Sequence, residues 1–215
     1  METAARRAAD FEAQFTTVFA PFFGKAADAI AQRLQARLNP KAKNYCERVA
    51  TRVMKAAGAE FVSSLPDSIM VKNIRVDQNA LPAQDVALPP FQYITLLNET
   101  WKNSELRTQL SRNVVFVIWE LREDKSTPVL SRLHWWRMPP RILNGEVRRV
   151  WEETKRRIGL KQYAALPKKR ESDVCHIRPH GRNKEDLRLT PHSRLEVKRS
   201  FYLNREFIAK QLRGA

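Results

Sequence analysis

The run Cys175-His176-Ile177-Arg178-Pro179-His180-Gly181-Arg182-Asn183-Lys184-Glu185-Asp186 sets two His, two Arg, an Asn and a Lys around one Pro and one Gly. Pro fixes the local backbone and Gly permits a tight turn. Long cationic donors on a rigid turn suit phosphates and guanine edges, and Asn suits adenine. A second run, Val197-Lys198-Arg199-Ser200-Phe201-Tyr202-Leu203-Asn204, follows closely. The plain alternative is a solvated basic loop, because charge runs usually lie at the surface.

The charge of the whole chain favours the first reading. Over 215 residues the net charge is +16. Between Lys168 and Arg213, 13 Lys and Arg stand against 6 Asp and Glu, a balance of +7. Such a field attracts polyanions, and a duplex with one phosphate charge per roughly 1.7 Å of axis is a natural partner. No apolar run approaches the roughly 20 residues of a membrane span, so no membrane partner is expected. The N-terminus lacks the apolar core of a signal peptide. Two cysteines, Cys46 and Cys175, make a disulfide framework improbable and a reduced cytoplasmic location the expectation. Cys175, His176, His180 and His192 lack the spacing of a zinc site, and Pro179 and Gly181 argue against the helix that would aim His176 and His180 at one metal.

The elements that must carry these runs follow from periodicity. Thr3 to Leu38 reads as helix, broken near Pro21 and Gly24, with Phe11, Phe15, Phe19, Phe22 and Phe23 as core or partner seam. Asn44 to Ala57 reads as a helix with Cys46, Val49, Val53 and Ala56 inward. Ser68 to Asp77 reads as a strand and Gln78 to Pro90 as a connection. Phe91 to Leu110 reads as one helix with a stripe of Ile94, Leu97 and Trp101. Asn113 to Leu121 reads as a central strand covered on both faces, Arg122 to Pro128 as a turn, and Val129 to Met138 as the hairpin partner. Asn144 caps a helix with Val147, Val150, Trp151 and Ile158 inward. A basic linker, Lys161 to Arg170, leads to a short strand near Val174, the His/Arg loop, a strand from Val197 to Tyr202 and a last helix from Asn204. Helices and strands around a central sheet make the fold class α/β or α+β. The expected division is a helical N-terminal extension, 1–41, and a domain of mixed strands and helices, 42–215.

Four blocks carry a resemblance: Ile69-Met70-Val71-Lys72-Asn73-Ile74-Arg75, Trp136-Arg137-Met138-Pro139, Val150-Trp151-Glu152-Glu153-Thr154-Lys155, and the closing His/Arg run with Lys198 to Asn204. From about Ala42 to Leu212 the chain resembles the MutH family of mismatch-repair endonucleases and type II restriction endonucleases that cut at GATC. The resemblance implies a restriction-endonuclease-like mixed sheet flanked by helices, and Mg²⁺-dependent phosphodiester hydrolysis by an Asp followed by Glu-x-Lys. Mg²⁺ wants carboxylate oxygens, and the Lys orients water and offsets charge. Glu and Lys two apart on a strand point the same way.

The chain departs from that pattern at Met70, which stands in the Glu position while Lys72 stays. A thioether does not replace a hard oxygen ligand. Asp67, three residues before Met70, and Glu60 are the stand-ins for the upstream Asp. The departure resembles the second domain of the GATC restriction enzymes, which has lost the Glu, keeps the His-x-Arg-Pro loop and binds a further GATC site as an effector. The resemblance then implies DNA contacts by Arg178, His180, Arg182, Asn183 and Lys184, with His176 either in contact or holding the loop. Lys198 and Arg199 suit phosphate rather than bases, and Met70 reads as packing. Lys72 is a catalytic remnant or a phosphate contact, Asp67 a candidate catalytic carboxylate, and no metal ligand is assigned. Two other readings compete. One is an active endonuclease that takes Mg²⁺ on Glu60, Asp67, Asp77 or Asp85; the other is a basic scaffold without sequence preference. The implied partners are GATC duplex and a catalytic nuclease domain in the same or another chain.

Overall fold

A computed structural model describes residues 4–63, 66–122 and 127–214. The chain divides into two compact units, residues 1–80 with 114–135 and residues 81–113 with 136–215.

The first unit holds α1 (Ala4–Phe19), α2 (Ala27–Arg33), α3 (Tyr45–Ala56), α4 (Ala59–Ser63), β1 (Ile69–Val76), β3 (Asn113–Glu120) and β4 (Val129–Arg137). Phe11, Phe15 and Phe19 recur every fourth residue, so they share one helix face. All three are buried, and the Phe15 and Phe19 rings stack 5.0 Å apart. Pro21 and Gly24, the latter at φ 74°, end α1 as expected. α2 stops at Arg33 rather than Leu38, and Gln35 at φ 50° redirects the chain. α3 buries Cys46, Val49 and Val53, but Ala56 is exposed and Tyr45 and Ala50 complete the stripe. These side chains form one core with Val115, Val117, Trp119 and Leu130, so the helices of the first forty residues pack around β3.

The strand order is β1-β3-β4. The Leu121 N–H donates to Val76 O, 2.8 Å, so β1 and β3 end side by side and run parallel. Ser131 meets Glu120, and the His134 ring meets the Phe116 ring, which makes β3 and β4 antiparallel and the sheet mixed. Val114 to Trp119 are all buried, as expected for a strand covered on both faces. The expected turn between β3 and β4 includes 123–126, which lie outside the described residues.

The second unit holds β2 (Val86–Pro90), α5 (Tyr93–Asn98), α6 (Glu105–Leu110), α7 (Pro140–Ile142), α8 (Arg148–Gly159), β5 (Cys175–Pro179), β6 (Leu187–Leu189), β7 (Leu195–Val197), β8 (Arg199–Leu203) and α9 (Arg205–Arg213). Its main sheet is β2-β8-β5, with β2 and β5 each antiparallel to β8; β6 and β7 form a separate ribbon. β2 was expected as a connection because of Pro89 and Pro90. An edge strand tolerates proline, which has no N–H to donate to a ladder.

The helix expected over 91–110 is broken. Ser104 caps α6 by accepting the Arg107 N–H, 3.2 Å, and a 3-10 turn at Trp101–Asn103 separates α6 from α5. Tyr93, Leu96, Leu106 and Leu110 face inward, while Ile94 is exposed. Asn144 does not cap a helix: it sits in a π-helical turn, Leu143–Val147, and donates its amide to Pro140 O, 3.0 Å. Val147, Val150, Trp151 and Ile158 are buried as expected. The strand expected over 197–202 is two strands, interrupted at Lys198. With sheets flanked by helices, the chain is an α+β fold.

Candidate nucleic-acid interface

The first five residues of the His/Arg run, Cys175–Pro179, are strand rather than loop. β5 pairs with β8 in the register Cys175↔Leu203, His176↔Tyr202, Ile177↔Phe201, Arg178↔Ser200 and Pro179↔Arg199. Alternation then sorts the side chains. Cys175, Ile177, Phe201 and Leu203 fall on one face and are buried. Burial pushes the Cys175 thiol up to about 12, so it is no nucleophile. His176, Arg178, Ser200 and Tyr202 fall on the other face.

Asp85 organises that second face. Its side chain is only 8% exposed, and it meets Lys169 Nζ at 2.9 Å, Arg178 at 3.2 Å and His176 Nε2 at 3.7 Å. The Arg205 N–H, at the start of α9, also donates to it, 2.9 Å. A carboxylate at a helix N-terminus is favourably placed. Burial alone raises the Asp85 pKa, but the Lys169 hydrogen bond, the Arg205 N–H and the charges of Lys169 and His176 together hold it below the usual carboxylate range.

His176 is 2% exposed, with Nδ1 2.5 Å from Asn204 Oδ1. The Asn204 amide donates to Ser172 O, 2.7 Å. Its ring is almost wholly enclosed, an arrangement that suits the holding role of the two expected for it. Desolvation depresses its pKa, against the opposing pull of Asn204 and Asp85.

Arg178 is exposed, its side chain 54% exposed and its guanidinium 5.2 Å from the Tyr202 ring centre. The carboxylate that steadies it is Asp85, 3.2 Å away. Tyr202 Oη also meets His180 Nδ1 at 2.7 Å, and the His180 N–H donates to Lys198 O, 2.8 Å. Arg178 of β5 and His180 just past it are therefore both tied to Tyr202 of β8.

Beyond β5 the loop of residues 180–186 closes on Asp186. Its carboxylate accepts the Arg182 N–H at 3.0 Å and the Lys198 ammonium at 3.2 Å. Asn183 Oδ1 accepts the Glu185 N–H, 3.1 Å. Gly181 needs no positive φ here. A Cβ at that position would lie 2.9 Å from Asn183 O and 3.2 Å from Asp186 Cβ, so the residue is glycine because the loop folds back against it. Arg182, Asn183 and Lys184 are exposed at the tip.

Lys198 and Arg199 depart from expectation. Lys198 is 17% exposed and spent on Asp186, which makes it the clamp of the loop. Arg199 is half-buried on the face opposite Arg178, with its Nε enclosed. The cations of α8 are also matched locally, Arg148 to Glu152 at 2.8 Å, Arg149 to Glu146 at 2.6 Å and Arg157 to Glu171 at 2.5 Å. Sequence reasoning did not single out Asp85, Lys169, Asp186 or Asn204 as organisers of this face. Asp85 lies 93 residues from Arg178, and nothing in its Pro-rich surroundings signals a long-range carboxylate.

The hydrolytic candidates are divided between the two units. In the first unit Met70 and Lys72 share a face of β1 and are half-buried. Burial lowers the Lys72 pKa, with Glu47 opposing. Asp67 is exposed in the turn before β1, Glu60 is exposed on α4, and Asp77 accepts the Asn79 N–H at 2.9 Å. In the second unit the Asp85 carboxylate is occupied by cations. Among the described residues no three His, Cys, Asp or Glu side chains come together. A thioether and a lysine where Mg²⁺ needs hard oxygens do not fit that ion.

No family model matches the chain. Among curated proteins, the type II restriction enzyme Sau3AI of Staphylococcus aureus is 22% identical over 245 aligned residues, covering 90% of this chain and 49% of that enzyme. The chain is thus distantly related to a type II restriction enzyme and spans about half its length. No helix among the described residues is long and apolar enough to cross a membrane.

Proposed function

We propose that the chain is a DNA-binding domain of the restriction-enzyme kind that recognises GATC in duplex DNA, in the manner of the catalytically degenerate effector half of a MutH-like enzyme. The observation that carries this reading is the exposed Arg178 guanidinium, held by buried Asp85 and Tyr202 at the foot of a loop that presents Arg182, Asn183 and Lys184. A fixed guanidinium reads guanine, and mobile exposed cations bind phosphate. The half-length match supports a second, catalytic half in the same or a partner chain. Met70 supports the loss of hydrolysis in this one.

Titration of labelled duplex tests the proposal. GATC duplex is expected to bind roughly 10³-fold or more tighter than scrambled duplex. With about six phosphates neutralised, the log–log salt slope should be roughly −5. The same mixtures with Mg²⁺ should leave the DNA uncut. Equal affinity for the two duplexes would leave only a basic scaffold, and cleavage abolished by Lys72→Ala would make the chain an active endonuclease.

A further inference from the structure

Among the described residues four large apolar side chains stand exposed, Ile94, Leu160, Leu189 and Leu195, and two of these face each other. Leu189 is 53% and Leu195 59% exposed, and they are register partners across the β6–β7 ribbon. Leu187↔Val197 is the next pair on the same face, while Arg188↔Glu196 points to the other. One face of the ribbon is therefore wholly apolar, and its outer rung meets solvent.

The ribbon is braced rather than loose. The Thr190 N–H donates to Arg194 O at 2.8 Å, and the Arg194 N–H returns a bond to Thr190 Oγ1 at 3.2 Å. His192 Nδ1 lies 2.6 Å from Tyr163 Oη, and the Tyr93 hydroxyl donates to Val197 O at 2.6 Å. At its base, the Lys198 N–H donates to Asp186 O at 3.1 Å, beside the Lys198–Asp186 ion pair. The ribbon and the loop of residues 180–186 thus share one clamp.

We propose that the ribbon enters the major groove beside that loop and that Leu189 and Leu195 pack against thymine methyl groups of the recognised site. The inference rests on the GATC reading above. A major groove about 12 Å wide admits a two-stranded ribbon. Leu195 is three residues from Lys198, about 10 Å at roughly 3.3 Å per residue, a reach of about three base pairs. Each strand of GATC offers one thymine, whose C5-methyl lies in that groove. The surroundings fit a polyanion: Arg182 and Arg194 have side chains 93% and 69% exposed, and Lys184 is exposed as well.

The test pairs a change in the protein with a change in one atom group of the DNA. The full chain and its Leu189→Ser/Leu195→Ser variant are titrated with GATC duplex and with the same duplex carrying uracil for the site thymines. The wild type is expected to lose about fourfold for each methyl removed. The variant should bind the thymine duplex about 16-fold more weakly than the wild type, the two methyl contacts together, and no longer distinguish it from the uracil duplex. Its melting temperature should not change, because both side chains are exposed. A variant that keeps the full thymine preference overturns the inference. So does one that binds both duplexes like the wild type and differs only in sedimentation, which would make the leucines a protein-contact face. A wild type without preference for GATC over scrambled duplex fails the parent reading and this inference together, visible before any substitution.

Discussion

Asp85→Ala is expected to lower the melting temperature by about 5–10 °C and to remove most of the preference for GATC duplex. Asp85 is 8% exposed at its side chain and holds Lys169, Arg178, His176 and the Arg205 N–H together. Truncation leaves Arg178 and the Arg205 N–H without this acceptor, Lys169 with Glu206 alone and His176 with Asn204 alone. Cutting one side of a fully buried ion pair costs roughly 3–5 kcal/mol. Here Lys169 and Arg178 are 42% and 54% exposed and regain water, so about 2–3 kcal/mol is the better figure. In a chain of this size each kcal/mol moves the midpoint by roughly 2–4 °C. Asp85→Asn keeps the shape and most of the acceptors and should fall between the wild type and the alanine variant. Differential scanning calorimetry with duplex titration checks both effects; an unchanged midpoint would mean that the carboxylate does not organise this face.

The same cluster sets the response to acid. The folded His176 pKa lies below the ordinary value of about 6.5, so the unfolded chain takes up that proton first. Its stabilisation is complete above about 6.5 and falls as the pH drops toward the folded value. Asp85 is also depressed, so its share persists to about pH 4 and is lost below that. Melting temperature should therefore begin to decline below about pH 6.5 and steepen below about pH 4. A midpoint constant from pH 7 to 5, or unaltered in its acid limb by His176→Gln, would contradict the assignment.

What the sequence disclosed and what it hid divide by range. β3 was legible because six apolar residues in a row, Val114 to Trp119, admit burial on both faces only. The phenylalanines of α1 were legible as a stripe, but whether they met a partner or the chain's own core depended on β3, a hundred residues away. β2 was hidden by its prolines, which read as a connection until the edge position is known. The helix over 91–110 was misjudged because Ile94, Leu97 and Trp101 mimic a stripe, while Ser104 and Thr100 offer caps that cut it. At the site, the exposed donors were legible by type. Their supports were not, because Asp85 finds Arg178 only through β2, β8 and β5. Lys198 shows the opposite error: its charge suited a phosphate, but Asp186 holds it.

Arg178→Ala should lose about 5–150-fold in discrimination between GATC and scrambled duplex while the melting temperature moves little. The direction follows from how the side chain is held. Its backbone precedes Pro179 and lies in β5, paired with Ser200, so it is extended and cannot relax toward helix. Its guanidinium contacts Asp85 and the Tyr202 ring, yet half of it faces solvent. An exposed ion pair contributes at most about 1 kcal/mol to stability, whereas a bidentate arginine–guanine pair carries roughly 1–3 kcal/mol of discrimination. Asn183 is the weaker reader. A bidentate pair with adenine needs its side-chain oxygen as well as its amide, and that oxygen accepts the Glu185 N–H within the loop. Lys184, an exposed point charge, should on truncation weaken both duplexes alike and reduce the salt slope by about 1. Lys198→Ala should instead behave as a loop defect, lowering the midpoint and specific binding together, because it releases Asp186 and with it the Arg182 N–H. Titrations of the four alanine variants at two salt concentrations, beside their melts, separate readers from clamps. If Arg178→Ala lowers the midpoint as far as Asp85→Ala does and weakens both duplexes equally, Arg178 is part of the support and the base is read elsewhere.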